Sequence, residues 1–121
     1  MTIYAYSDGG VRGRNTRNVE TWGSFKVGSN PIEEREFGIG SNQTAEVNTL
    51  IACLTYIWSK GIDNVVVYID SQWTFNTVSG LWKVKDARLK PLVKRATELM
   101  VSTGTELEWR PRDGIVAVLG H

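Results

Sequence analysis

Residues 65–72 have the sequence Val65-Val66-Val67-Tyr68-Ile69-Asp70-Ser71-Gln72, an apolar, mostly β-branched run that ends on a carboxylate. A run this short, with Gly61 before it and polar residues after it, predicts a strand buried on both faces. Asp70 would then lie at the carboxyl end of a central strand, where open α/β sheets bind ligands. Taken alone, Asp70 is better explained as the cap of a following helix. Its role therefore depends on the rest of the chain.

The composition is that of an ordinary globular protein, with 121 residues, 41% hydrophobic, 22% charged and a formal net charge of +1. This length predicts a single domain over residues 1–121. A nearly neutral chain has no global attraction to nucleic acid, so such a partner would have to be bound by local patches. No apolar run approaches the roughly 20 residues that span a bilayer. We therefore expect a cytoplasmic monomer with no membrane partner, in which the single Cys53 is a core residue.

The amino-terminal third of the chain predicts three strands. Residues 2–7 are β-prone and end at Asp8-Gly9-Gly10, so a second strand also ends on an aspartate. Residues 22–27 and 33–39 predict a hairpin whose second strand lies at an edge of the sheet. Residues 11–20, between the first of these strands and the hairpin, are expected to form an exposed, mobile, basic loop that contains Arg12, Arg14 and Arg17.

From residue 42 to residue 60 the apolar period changes to three and four residues, which predicts a long helix with one apolar stripe. Glu46 lies near its first turn, where the helix dipole alone would explain a carboxylate. A short helix over 71–79, a helix that begins at Asp86, a strand over 105–110 and a last helical segment over 115–121 follow. The stripe of the long helix consists of Val47, Leu50, Ile51, Leu54, Ile57 and Trp58.

This β-β-β-α-β-α-α-β-α order predicts an α/β fold, with a five-stranded mixed sheet in the order 3-2-1-4-5 and helices on both faces. Neighbouring strands lie about 4.8 Å apart, so Asp8 and Asp70 are expected within a few ångströms, with Glu46 leaning over the same edge. Converging carboxylates repel one another, and a hard divalent cation relieves that repulsion. Oxygen ligands without His or Cys predict Mg²⁺ or Mn²⁺ rather than zinc.

Several motifs together resemble the type 1 ribonuclease H family. They are Tyr-Ser-Asp-Gly-Gly at 6–10, Ser-Asn-Gln-Thr-Ala-Glu at 41–46, Ile-Asp-Ser-Gln-Trp at 69–73, Leu-Trp-Lys-Val-Lys at 81–85 and Glu-Trp-Arg-Pro-Arg at 108–112. The resemblance covers essentially the whole chain. It implies a ribonuclease H-like fold that cleaves the RNA strand of RNA/DNA hybrids with two Mg²⁺ or Mn²⁺ ions, one aiding the attacking water and the other the leaving oxygen.

The resemblance also implies roles for individual residues. Asp8, Glu46 and Asp70 match three of the family's four metal-binding carboxylates. Asn42 and Gln72 match positions that read the 2′-hydroxyls of RNA in the minor groove, although a helix cap and a solvated helix residue explain them better when the family is set aside. The expected nucleic-acid contacts are Gly9, Gly10, Asn42, Gln43, Ser71, Gln72, Trp82, Lys83, Lys85 and Arg112. Among these, Trp82, Lys83 and Lys85 would hold the DNA strand. Core packing explains Trp82 equally well.

Two departures from the family's pattern affect these expectations. No basic helix-loop fits between the short helix and the one after it, so hybrid affinity is expected to be lower and more dependent on salt. An ungapped alignment on Leu119 puts Ala117 at the fourth acid, one turn into a last helix that the chain cuts short, facing Asp8 and Asp70. Cleavage is then expected to be impaired, with Asp113 and His121 as the nearest substitute ligands.

Two alternative functions remain open. A ribonuclease H-like module that binds nucleic acid without cutting it is favoured by Ala117 but disfavoured by the three acids that are present. Another nuclease of the same fold, such as a junction resolvase, is disfavoured by Asn42 and Gln72 in their family contexts.

Overall fold

The computed structural model describes residues 1–13 and 19–120. Arg14, Arg17 and His121, for which we predict a loop and a substitute ligand, lie outside the described residues. The element order agrees with the prediction: β1 (Ile3–Arg12), β2 (Glu20–Val27), β3 (Glu33–Ile39), α1 (Asn42–Ser59), β4 (Val65–Ile69), α2 (Gln72–Val78), α3 (Lys90–Thr103), β5 (Glu106–Trp109) and α4 (Arg112–Leu119).

The strands form one mixed sheet in the order β3-β2-β1-β4-β5, which confirms the predicted topology. β1, β2 and β3 pair antiparallel, whereas β4 pairs parallel with both β1 and β5. Parallel neighbours require crossover connections, here α1 and then α2 with α3. None of the helices in the described ranges has the length and apolarity that crossing a membrane requires.

Helices cover both faces of the sheet. On one face α1 and α3 enclose the main core, in which β4 is buried apart from a partly exposed Val66, and Cys53 is fully buried as predicted. On the other face α4 packs Ile115 and Leu119 against Tyr68. The predicted apolar stripe of α1 is buried except at Ile51, which is partly buried, and at Trp58, which is 64% exposed because it lies one residue, about 100° of rotation, beyond the buried Ile57.

The prediction that the first strand ends before Asp8 is wrong. β1 continues to Arg12, which pairs with Glu20 of β2. Its parallel pairing with β4, however, ends at Tyr6 and Tyr68. Asp8 therefore lies two residues beyond the last pair between β1 and β4, and Asp70 lies two residues beyond that pair on β4. Both aspartates lie at the same edge of the sheet, because β1 no longer pairs with β4 at Asp8 and β4 has already ended before Asp70.

One helix cap and two helix starts also differ from the prediction. Ser41, not Asn42, caps α1, and it exchanges hydrogen bonds with Thr44 in a capping box. Asp86 forms a turn before α3, since its carboxylate accepts from the amide of Arg88, and the helix begins at Lys90. α4 begins at Arg112 rather than at residue 115. The differences at Ser41 and Asp86 come from local side-chain hydrogen bonds that an apolar period does not report, whereas α4 begins without a side-chain cap hydrogen bond.

Candidate active site

Three carboxylates meet at the edge of the sheet where β4 ends. Asp8 comes from β1, Asp70 follows β4, and Glu46 comes from the second turn of α1. One carboxylate oxygen from each residue lies within 4.8 Å of the other two. Asp8 and Glu46 are buried, with 4% and 8% exposed, whereas Asp70 is half-buried. The structure thus brings together the three acids predicted to converge.

Two glycines allow α1 to approach the sheet closely enough for Glu46 to reach Asp8. A Cβ at Gly9 would overlap the backbone of Ala45, and a Cβ at Gly23 would overlap the side chain of Thr49. Helix and strand backbones therefore touch directly here. Of the two glycines that follow Asp8 in the sequence, Gly9 serves this packing, whereas Gly10 lies against the indole of Trp22.

Burial and the neighbouring carboxylates raise the pKa values of Glu46 and Asp70. Burial, together with the charges of Asp8 and Asp70, raises the pKa of Glu46 to about 9. Burial and Asp8 also raise the pKa of Asp70, while the Arg112 guanidinium opposes that rise. At neutral pH the metal-free cluster holds a proton, and a divalent cation that binds the carboxylates can displace this proton. In the described residues the donors are all carboxylate oxygens, which fits Mg²⁺ or Mn²⁺.

Asp8 and Glu46 line a cleft of about 320 Å³, which we call the carboxylate cleft, and Asp70 lies beside these two residues. Four of the residues predicted to contact nucleic acid line it, namely Gly9, Gly10, Asn42 and Arg112. Trp22 and Val11 also line it and were not predicted. Trp22 lies there because it pairs directly with Gly10 across β1 and β2, a register that was not predicted from the sequence.

A second and larger cleft, of about 610 Å³, contains most of the other predicted contacts. Trp82 is 52% exposed there, so the explanation by core packing is wrong. Ser71 caps α2, since its hydroxyl accepts from the amide of Thr74, and Gln72 is exposed on the first turn of α2. The predicted residues that line this cleft are Gln43, Trp82, Lys83 and Lys85.

Ala117 does not face the two aspartates as predicted. It is exposed and lies two residues from each of the buried Ile115 and Leu119, on the opposite side of α4. Asp113, in the first turn of α4, is exposed and does not belong to the carboxylate group found among the described residues. The α4 residue that reaches the carboxylate cleft is Arg112.

Residues 35–118 match the family model described as reverse transcriptase-like. The chain belongs to this family. Among solved structures, the N-terminal ribonuclease H domain of a Mycobacterium tuberculosis protein, solved as a fusion with maltose-binding protein, is 27% identical with a TM-score of 0.83, over 96% of this chain and 86% of that one. Ribonuclease H1 from Halobacterium salinarum is 24% identical with a TM-score of 0.78, over 94% and 89%.

A ribonuclease H1 isolated from compost by a metagenomic approach, solved in complex with an RNA/DNA hybrid, is 20% identical with a TM-score of 0.82. It matches over 96% of this chain and 90% of that one. The predicted type 1 ribonuclease H family and fold are therefore confirmed for this reverse transcriptase-like domain.

Proposed function

We propose that this ribonuclease H-like domain hydrolyses the RNA strand of RNA/DNA hybrids and that Asp8, Glu46 and Asp70 bind the divalent metal required. The observation that carries the proposal is the convergence of three carboxylate oxygens within 4.8 Å in an open cleft. The relative from compost, which was solved with a hybrid, supports the choice of substrate.

Bound Mg²⁺ or Mn²⁺ would activate water and stabilise the leaving oxygen. The chain's own residues bind and orient the substrate. Gly9 and Gly10 present backbone without side chains, so that a sugar-phosphate strand can approach the acids closely. Asn42, exposed at the start of α1, offers an amide to a 2′-hydroxyl. Arg112 offers a planar pair of donors to a phosphate.

Three acids would hold one ion with a full set of carboxylates and leave a second with fewer protein ligands. We infer that two ions bind unequally and that cleavage is slower than at a site with four acids. Because Ala117 lies on the far side of α4, we do not expect Ala117→Asp to restore a ligand. A hybrid-binding module that does not cleave is the second candidate, favoured because the carboxylate group found among the described residues has no fourth acid.

The second cleft is proposed to hold the DNA strand. Trp82 presents an exposed aromatic face that suits a sugar, and Lys83 and Lys85 present ammonium groups that suit phosphates. Lys85→Ala is expected to weaken hybrid binding and to lower the slope of log affinity against log salt concentration by about one.

Strand-labelled RNA/DNA, RNA/RNA and DNA/DNA duplexes, incubated with and without Mg²⁺ or Mn²⁺, test this function. We expect the RNA strand of the hybrid to be cut, and to be cut only with metal. Binding of the hybrid without cleavage, even with enzyme in excess, would favour the second candidate. Equal affinity for hybrid and DNA duplex at the same ionic strength would contradict both.

A further inference from the structure

The wall of the carboxylate cleft formed by β1 and β2 carries an arginine held on a tryptophan. The Arg12 guanidinium carbon lies 4.5 Å from the centroid of the Trp22 ring. A Cβ at Gly10 would come within 3.3 Å of the indole nitrogen, so the indole lies against bare backbone. Trp22 lines both the carboxylate cleft and a neighbouring pocket of about 120 Å³ that Arg12 also lines. The arginine is therefore oriented beside the cleft rather than free to move.

Arg12 lies on the same strand as Asp8 and points to the same face. Residues two and four positions apart along a strand share a face, which aligns Asp8, Gly10 and Arg12. At about 3.3 Å per residue, Arg12 lies about 13 Å along the strand from Asp8. One strand of a duplex places a phosphate every 3.4 Å or so along the helix axis. Arg12 is thus within a few nucleotides of any phosphate bound at Asp8.

Glu36 of β3 is the ion-pair partner of Arg12. The Arg12 Nη1 and Glu36 Oε1 atoms lie 3.6 Å apart, and the two side chains are 53% and 84% exposed. Exposed ion pairs contribute little stability, whereas a phosphate can accept two hydrogen bonds from one guanidinium. The register of β2 and β3 shifts between Thr21 and Trp22, which sets Glu36 opposite Trp22. Such bulges re-aim side chains beside active sites.

We propose that Arg12, oriented by Trp22, binds a backbone phosphate of the RNA strand that enters the carboxylate cleft, and that Glu36 competes with this phosphate for Arg12. The inference rests on the proposed function and adds a substrate contact beside the wall of the carboxylate cleft formed by β1 and β2. Its consequence is that substrate must displace Glu36, so this glutamate lowers the affinity for the hybrid.

Fluorescence anisotropy of a labelled hybrid in EDTA, at several salt concentrations, tests the inference. Arg12→Ala is expected to weaken binding about fivefold and to lower the salt slope by about one. Arg12→Lys keeps the charge but not the planar guanidinium group, and its hybrid affinity is expected to lie between those of the unsubstituted protein and Arg12→Ala. Glu36→Gln is expected to tighten binding about threefold in the unsubstituted protein and to have no effect when Arg12 is alanine.

The Arg35 and Glu33 pair supplies matched controls. It is also an exposed ion pair, 3.7 Å long, and its arginine lies over Phe25, 5.4 Å from that ring. Arg35→Ala and Glu33→Gln are expected to change hybrid affinity less than about twofold, because neither residue lines the pocket beside the carboxylate cleft that Arg12, Trp22 and Glu36 share.

Two results would overturn the inference alone. The first is that Arg12→Ala leaves the hybrid affinity and the salt slope unchanged. The second is that Glu36→Gln tightens hybrid binding equally with and without Arg12, because Glu36 would then act only by repelling the negatively charged nucleic acid. The proposed function would stand if hybrid were still preferred to DNA duplex and Lys85→Ala still weakened binding. Loss of that preference in the unsubstituted protein would overturn both.

Discussion

Glu46 shows most clearly what the carboxylate cleft is suited to bind. It is a buried acid beside two aspartates, and these surroundings raise its pKa to about 9. At neutral pH and without a cation it therefore holds a proton, and binding a divalent ion would release that proton. The same surroundings that disfavour an isolated charge favour a metal ion with carboxylate ligands.

The raised pKa of Glu46 predicts how the stability of the metal-free protein depends on pH. Its ordinary pKa is 4.5, so between about pH 4.5 and 9 the folded chain keeps a proton that the unfolded chain releases. This contribution is fully present below about pH 4.5 and is lost as the pH rises towards 9. Asp70 shifts in the same direction. We expect the melting temperature in EDTA to fall over this range, and to fall less in Glu46→Gln; an equal fall in both proteins would contradict the assignment.

Metal binding is expected to stabilise the fold. A ligand that binds the native state alone, at ten times its dissociation constant, contributes about 1.4 kcal/mol, which corresponds to a few degrees in melting temperature. Millimolar Mg²⁺ or Mn²⁺ should therefore raise the melting temperature, and Asp70→Asn should reduce that rise. Asp63→Asn, which removes an exposed acid before β4, is the control. If neither ion stabilises the unsubstituted protein, the metal site loses its main support.

At the scale of elements, the contact between α1 and β2 positions Glu46. Gly23→Ala would force the new Cβ into Thr49, so we expect about 1–3 kcal/mol of destabilisation and weaker Mg²⁺ binding. Thr49→Ala in the same chain should recover part of both. Gly114→Ala is the control, because its Cβ would come no closer than 3.9 Å to Arg110. Unchanged metal affinity in Gly23→Ala would show that this packing does not set the position of Glu46.

The existence and order of the elements could be predicted from the sequence, but several of their ends could not. The period of apolar residues identifies a helix or a strand. The residue at which that element ends, however, depends on which groups form hydrogen bonds with its terminal backbone. β1 passes beyond Asp8 because β2 still pairs with it. α3 begins at Lys90 rather than at Asp86 because the Asp86 carboxylate accepts from the amide of Arg88 in a turn before the helix.

At the scale of the whole molecule, the rules for connecting strands predicted that Asp8 and Asp70 lie close together. The helix that precedes β4 predicted that Glu46 lies beside them. The other residues of the cleft depend on details that those rules do not fix. Trp22 enters through the register of β1 and β2. Arg112 lines the cleft, whereas Ala117 faces away, because the rotation of α4 is set by packing Ile115 and Leu119 on Tyr68.

The most direct test of the account is single-turnover cleavage of an RNA/DNA hybrid labelled on the RNA strand, with enzyme in excess and with Mg²⁺ or Mn²⁺ present. We expect metal-dependent shortening of the RNA strand. In Asp70→Asn we expect a rate lower by roughly two orders of magnitude, about 3 kcal/mol of transition-state stabilisation, with hybrid affinity reduced much less. Cleavage at the same rate in Asp70→Asn, or cleavage that persists in EDTA, would contradict it.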